Sequence, residues 1–159
     1  MASMFMPDGD GLGGLLGDLI GTNPKIQVMS ESFDPGAGDP IAVYRLDDDS
    51  LAGMCVVSLP QAARIGALIA MLPVGAAEDA EKTGALSDSL ADNFTEVMNI
   101  CAQLFSSGGA EHVRLEAVFT ERSSLPKEAE KLLGASAERA DFSISICDET
   151  AGSLSVLTT

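Results

Sequence analysis

Residues 92–105 read DNFTEVMNICAQLF. Phe94, Val97, Met98, Cys101, Leu104 and Phe105 recur three and four residues apart, the spacing of one helical face. Leu86 and Leu90 carry that face back to residue 86, so the spacing predicts one long helix over 86–105. With about 100° per residue, Asp92, Glu96, Asn99 and Gln103 fall within about 60° of one another on the opposite side. Such a polar stripe has two readings, a face that meets water or a face that works on something. Spacing alone does not choose between them.

Outward from this helix, SSGGAEH (106–112) ends it and HVRLEAVF (112–119) reads as a strand. Before it, 74–85 reads as a polar connector. LPQAARIGALIAML (59–72) reads as a buried helix that stops ahead of Pro73. Ser58 suits its N-cap, Pro60 its first turn, and Gln61 the third position of a capping box. IQVMSESF (26–33) reads as a strand and DPGAGDP (34–40) as a loop. IAVYRL and LAGMCVVS (51–58) then form a hairpin around DDDS (47–50), whose aspartates read as a solvated turn rather than a metal site. After the long helix and its strand come PKEAEKLL, a short helix with Gly134 as its C-terminal cap, and a last hairpin. That hairpin joins DFSISIC (141–147) to SLSVLT (153–158) through DETAG. The order specifies an α+β domain, a mainly antiparallel sheet with two longer helices packed on it. The strands at the chain end are expected to leave an open edge, where a homodimer could pair.

Residues 24–159 form the single domain, and 1–23 read as a Gly-rich N-terminal tail. Leu12, Leu15, Leu16, Leu19 and Ile20 give that tail one amphipathic segment. Gly13, Gly14 and Gly17 each weaken its helix by about 1 kcal/mol relative to Ala, so it forms only when packed. Both its own domain and a partner can supply the surface. DGDG (8–11) lacks the later ligands of a calcium loop.

Composition narrows the function. A formal charge of −15, from 24 acidic against 9 basic residues, repels nucleic-acid phosphates and anionic membranes. Aromatic residues are 4% and Trp is absent, which argues against a base-stacking surface. Cys55, Cys101 and Cys147 lie in apolar runs without a CxxC, and His112 is the one histidine. Reduced, buried thiols in a cytoplasmic protein are expected, with no zinc site. The start lacks a basic leader region, and no apolar run reaches the roughly 18 residues of a membrane span.

The pattern Asp92-x3-Glu96-x2-Asn99-Ile100 resembles the signature helix of the CheC/CheX/FliY phosphatases of bacterial chemotaxis. The hairpin leading into a buried helix, then the signature helix and a strand, is similar to CheX. Residues 59–72 hold no Glu-x-x-Asn, so a single-site, CheX-like member is the nearer match. The resemblance implies a response-regulator receiver domain such as CheY as partner and its aspartyl phosphate as substrate. It makes Glu96 and Asn99 the catalytic pair, Glu96 meeting a receiver lysine and Asn99 orienting water. Asp92 and Gln103, on the same face, become partner-binding residues. No cofactor comes from this chain, because the receiver carries its own magnesium. Two positions depart from the pattern. Pro126 lies farther past Asn99 than the family's usual proline, and Ala102-Gln103 stand where many members have Gly. A non-catalytic binding or scaffold protein on the same fold is the alternative.

Overall fold

The computed structural model describes residues 4–36, 38–107, 111–136, 138–146 and 152–159. Among them six strands form one antiparallel sheet: β1 (Lys25–Val28), β2 (Ile41–Leu46), β3 (Leu51–Val57), β4 (Val113–Phe119), β5 (Glu138–Ser145) and β6 (Gly152–Thr158). Their order across the sheet is β1-β5-β6-β3-β2-β4. Five helices accompany them: α1 (Gly9–Ile20), α2 (Leu59–Ile69), α3 (Val74–Thr83), α4 (Asp88–Phe105) and α5 (Lys127–Gly134). The α+β architecture expected from the sequence is the one observed.

Alternation along β2 divides the core. Ala42 and Tyr44 face the cluster built by α1, α2 and α4, with Phe94, Val97, Met98 and Phe105 at its centre. Ile41 and Val43 face the opposite way, toward Leu125, Ala129 and Leu132 of the α5 region. Buried Arg45 on β2 ties that second layer down through ion pairs to Glu116 of β4 and Glu128 of α5. Leu12 and Leu16 of α1 are wholly buried in the first cluster, which supplies the packing a Gly-rich helix needs. Gly14 is the exposed glycine of α1, and a Cβ there meets nothing within 4 Å. Gly14→Ala is therefore expected to raise unfolding free energy by about 0.5–1 kcal/mol, read by urea denaturation.

Several expectations are corrected. The strands at the chain end are internal, with β6 between β5 and β3; the edges are β1 and β4. The stretch read as a polar connector forms α3, whose Ala77 and Ala80 pack on Ala63, Ala67 and Leu90. The capping box at α2 does not form. Ser58 Oγ instead accepts from the Ser153 N–H of β6 (3.1 Å), and Asp39 Oδ1 accepts from the Leu59 N–H (2.7 Å). Gln61 is buried against Gly152, and among the described residues neither of its amide atoms has a hydrogen-bond partner. Gly134 ends α5 without the left-handed conformation of a glycine cap. Cys147 and the DETAG turn lie outside the described residues.

The strand expected over 26–33 stops at Val28 because a side-chain latch turns the chain away. Asp141 on β5 accepts from the Phe33 N–H (2.9 Å), Ser155 Oγ (2.5 Å) and the Arg139 guanidinium, whose Nη2 also reaches the Phe33 carbonyl. Burial pushes the Asp141 carboxyl up, but the hydrogen bonds from Arg139, Ser155 and Phe33 outweigh it and hold it below the ordinary carboxylate range. A lowered folded-state value adds stability above the ordinary range, and that stability is lost as pH falls through the lowered value. Asp141→Asn is expected to cost about 1–2 kcal/mol near pH 7 and less near pH 3, measured by urea denaturation. An equal difference at both pH values overturns this account.

Candidate functional site

Residues of α4 pack it inward and leave one stripe free. Ser87 Oγ caps its start by accepting from the Leu90 N–H (3.2 Å). Phe94, Val97, Met98, Cys101 and Phe105 are buried. Two contacts set its position. Asn93 Nδ2 donates to the Gly66 carbonyl of α2 (3.1 Å), and the buried Tyr44 hydroxyl donates to the Met98 carbonyl (2.6 Å). The Tyr44 ring meets Phe105 edge-on, with centroids 4.9 Å apart. Burial, with Cys101 and Cys55 nearby, pushes the Tyr44 hydroxyl well above its ordinary value, so it remains a donor.

The side opposite this clamp carries the stripe read from the sequence. Asp92, Glu96, Asn99 and Gln103 are all exposed. Among the described residues, none of the four side chains has a hydrogen-bond or ion-pair partner. Glu96 and Asn99 stand one turn apart, a carboxylate beside a neutral amide that both donates and accepts.

Asn99 and Gln103 also open onto a groove of about 350 Å³, bounded by Ala102 and Ser106 of α4 and by His112 and Arg114 at the start of β4. Ser106 joins the walls, its hydroxyl donating to the Ala102 carbonyl (2.8 Å) and accepting from the Val113 N–H (3.0 Å). The pairing of Arg45 with Arg114 and Leu46 with Val113 brings the β2–β3 turn alongside this wall. Asp49 there pairs with Arg114, and Asp47 Oδ1 lies 2.8 Å from His112 Nδ1. Asp48 instead closes the turn, accepting from the Ser50 N–H (2.9 Å). His112 and Arg114 were not singled out as site residues, because the strand pairing that brings them here is non-local.

Elsewhere the chemistry is quieter. A larger cavity of about 430 Å³ opens between the start of α2 and β6, but its charges, Arg64 and Glu81, lie 3.7 Å apart and offset each other. Burial pushes the Cys101 thiol up to about 12, and burial with Cys101 nearby pushes Cys55 up too, so both stay protonated and inert. Among the described residues no three His, Cys, Asp or Glu side chains converge on a metal position, and no helix is long and apolar enough to cross a membrane.

No family model and no curated protein matches the sequence. Solved structures do match. FliY of Thermotoga maritima aligns with a TM-score of 0.58 at 11% identity, over 98% of this chain and 93% of its own. CheX of Borrelia burgdorferi, from its complex with CheY, BeF3 and magnesium, aligns at 0.56 and 14% identity, over 93% and 92%. The chain has the CheX and FliY fold. The FliM middle domain of H. pylori shares it, at 0.52 and 10% identity over 94% of this chain and 83% of that one. The resemblance read in residues 92–100 is thus matched by CheX and FliY at the level of architecture. Within this CheX-type fold, the Glu96–Asn99 face lies on the long, well-buried helix α4.

Proposed function

We propose that this chain is a CheX-like protein that binds a phosphorylated receiver domain and promotes hydrolysis of its aspartyl phosphate. One observation carries the reading: Glu96 and Asn99 stand exposed and unpartnered, among the described residues, on a helix clamped from behind. The chemistry asks little of the catalyst. Water attacks phosphorus, the bond to the acyl oxygen breaks, and aspartate leaves as a carboxylate with release of inorganic phosphate. The remaining task is to hold water in line, which is a matter of position. The Asn99 amide suits it, since it can accept from water and donate to a phosphoryl oxygen without adding negative charge. Glu96 pairs with the receiver's lysine beside the phosphorylation site, fixing register in a partly desolvated contact. Asp92 and Gln103 flank the pair and touch the receiver. The receiver brings its own magnesium. This places the chain in cytoplasmic two-component signalling of the chemotaxis type, with pairing at the β1 or β4 edge as the route to a homodimer.

A second reading is a binding or scaffold protein that captures its partner without chemistry, and the H. pylori FliM domain of the same fold, solved in complex with FliG, supports it. The two readings separate in one assay, the decay of a phosphorylated CheY receiver with and without the protein. Faster decay supports the phosphatase. Binding with an unchanged phosphate lifetime assigns the scaffold and removes the catalytic reading.

A further inference from the structure

The β4 wall of the groove, which carries Arg114 and His112, has no part in the reading above. On a chain of formal charge −15, Arg114 and His112 both line it, opposite Asn99 and Gln103. Each is held by a carboxylate of the β2–β3 turn, Arg114 by Asp49 and His112 by Asp47. Every one of these four side chains is at least 45% exposed. Exposed ion pairs are weak and exchange readily, so an incoming carboxylate can take Arg114 from Asp49 at little cost. The groove volume of about 350 Å³ accommodates a protruding side chain. Ser106 keeps its walls at a fixed separation.

We propose that this groove receives an acidic side chain of the docked receiver, with Arg114 as its main contact, His112 beside it and Asp49 as the internal competitor. The inference rests on the reading of α4 as the receiver-facing helix and adds the chemistry of the contact. A carboxylate can take the place that Asp49 now holds on Arg114, the one formal positive charge among the groove's described lining residues. The competitor gives the proposal a sign. Removing the Arg114 charge weakens docking, and removing the Asp49 charge strengthens it.

The test follows binding of a fluorescently labelled CheY receiver, charged with beryllium fluoride, by anisotropy. Decay of the acetyl-phosphate-charged receiver is measured in parallel. Arg114→Gln is expected to raise Kd about fivefold and Asp49→Asn to lower it about threefold, both effects shrinking at high salt. Asn tolerates the positive φ of 66° at Asp49, so this change removes charge without straining the turn. The double variant is expected to bind like Arg114→Gln alone, because Asp49 acts through Arg114. Weaker or unchanged binding in Asp49→Asn, or unchanged binding in Arg114→Gln, overturns the proposal even where Asn99→Ala abolishes catalysis. The expected Kd shifts without any acceleration of decay sustain the groove and remove the phosphatase reading. Absence of receiver binding removes both.

Discussion

Replacing Asn99 with alanine is expected to cut the acceleration of receiver-phosphate decay about 100-fold, bringing the decay close to the receiver's own rate. The size follows from the division of labour. The acyl phosphate is already labile, so catalysis lies in the placement of one water. A methyl side chain cannot place it. Binding is expected to persist, because on the proposed function Glu96, Asp92 and Gln103 still face the partner. The fold is untouched too: Asn99 is exposed and its side chain has no partner among the described residues, so its removal changes stability by no more than about 0.5 kcal/mol. The loss therefore falls in kcat rather than KM. An Asn99→Ala protein as fast as the native one ends the catalytic reading, and a slow but unfolded one is excluded by its thermal melt.

How far this could be read in advance differed by element. The α4 stretch was legible because its apolar residues keep a helical period over several turns, which fixes the opposite stripe as well. The hairpin of β2 and β3 was legible from its turn chemistry. Helix α3 was not, because Ala77 and Ala80 bury against other alanines and leave no large apolar side chains to mark a period. Ser58 misled because two donors compete for its hydroxyl, and the one that wins lies on β6, far along the chain. Sheet order is similarly non-local, so the chain-end hairpin was taken for an edge when it lies inside. The groove shares this limit. Glu96 and Asn99 share one helix and could be paired on paper, whereas Arg114 and Asp49 meet only because β2 pairs with β4 in one register.

Gly66→Ala is expected to destabilise the fold by about 2–3 kcal/mol, although alanine is the better helix former by about 1 kcal/mol. The sign is decided by what stands opposite. A Cβ on Gly66 would lie 2.8 Å from the Leu90 carbonyl oxygen and 3.5 Å from the Leu90 Cα. Those are backbone atoms of α4, which cannot swing aside as a side chain would. Relief comes only when α2 and α4 separate, which also stretches the bond from Asn93 to the Gly66 carbonyl. That movement displaces the N-terminal part of the helix bearing Glu96 and Asn99, so on the proposed function receiver decay is expected to slow about tenfold, well beyond what an unchanged site would lose. Gly14→Ala in α1 is the control, the same chemical change in a helix with open space around it, and it shifts the urea midpoint upward. Should both substitutions move the midpoint in the same direction, the close approach of α2 to α4 is not what fixes the position of the site.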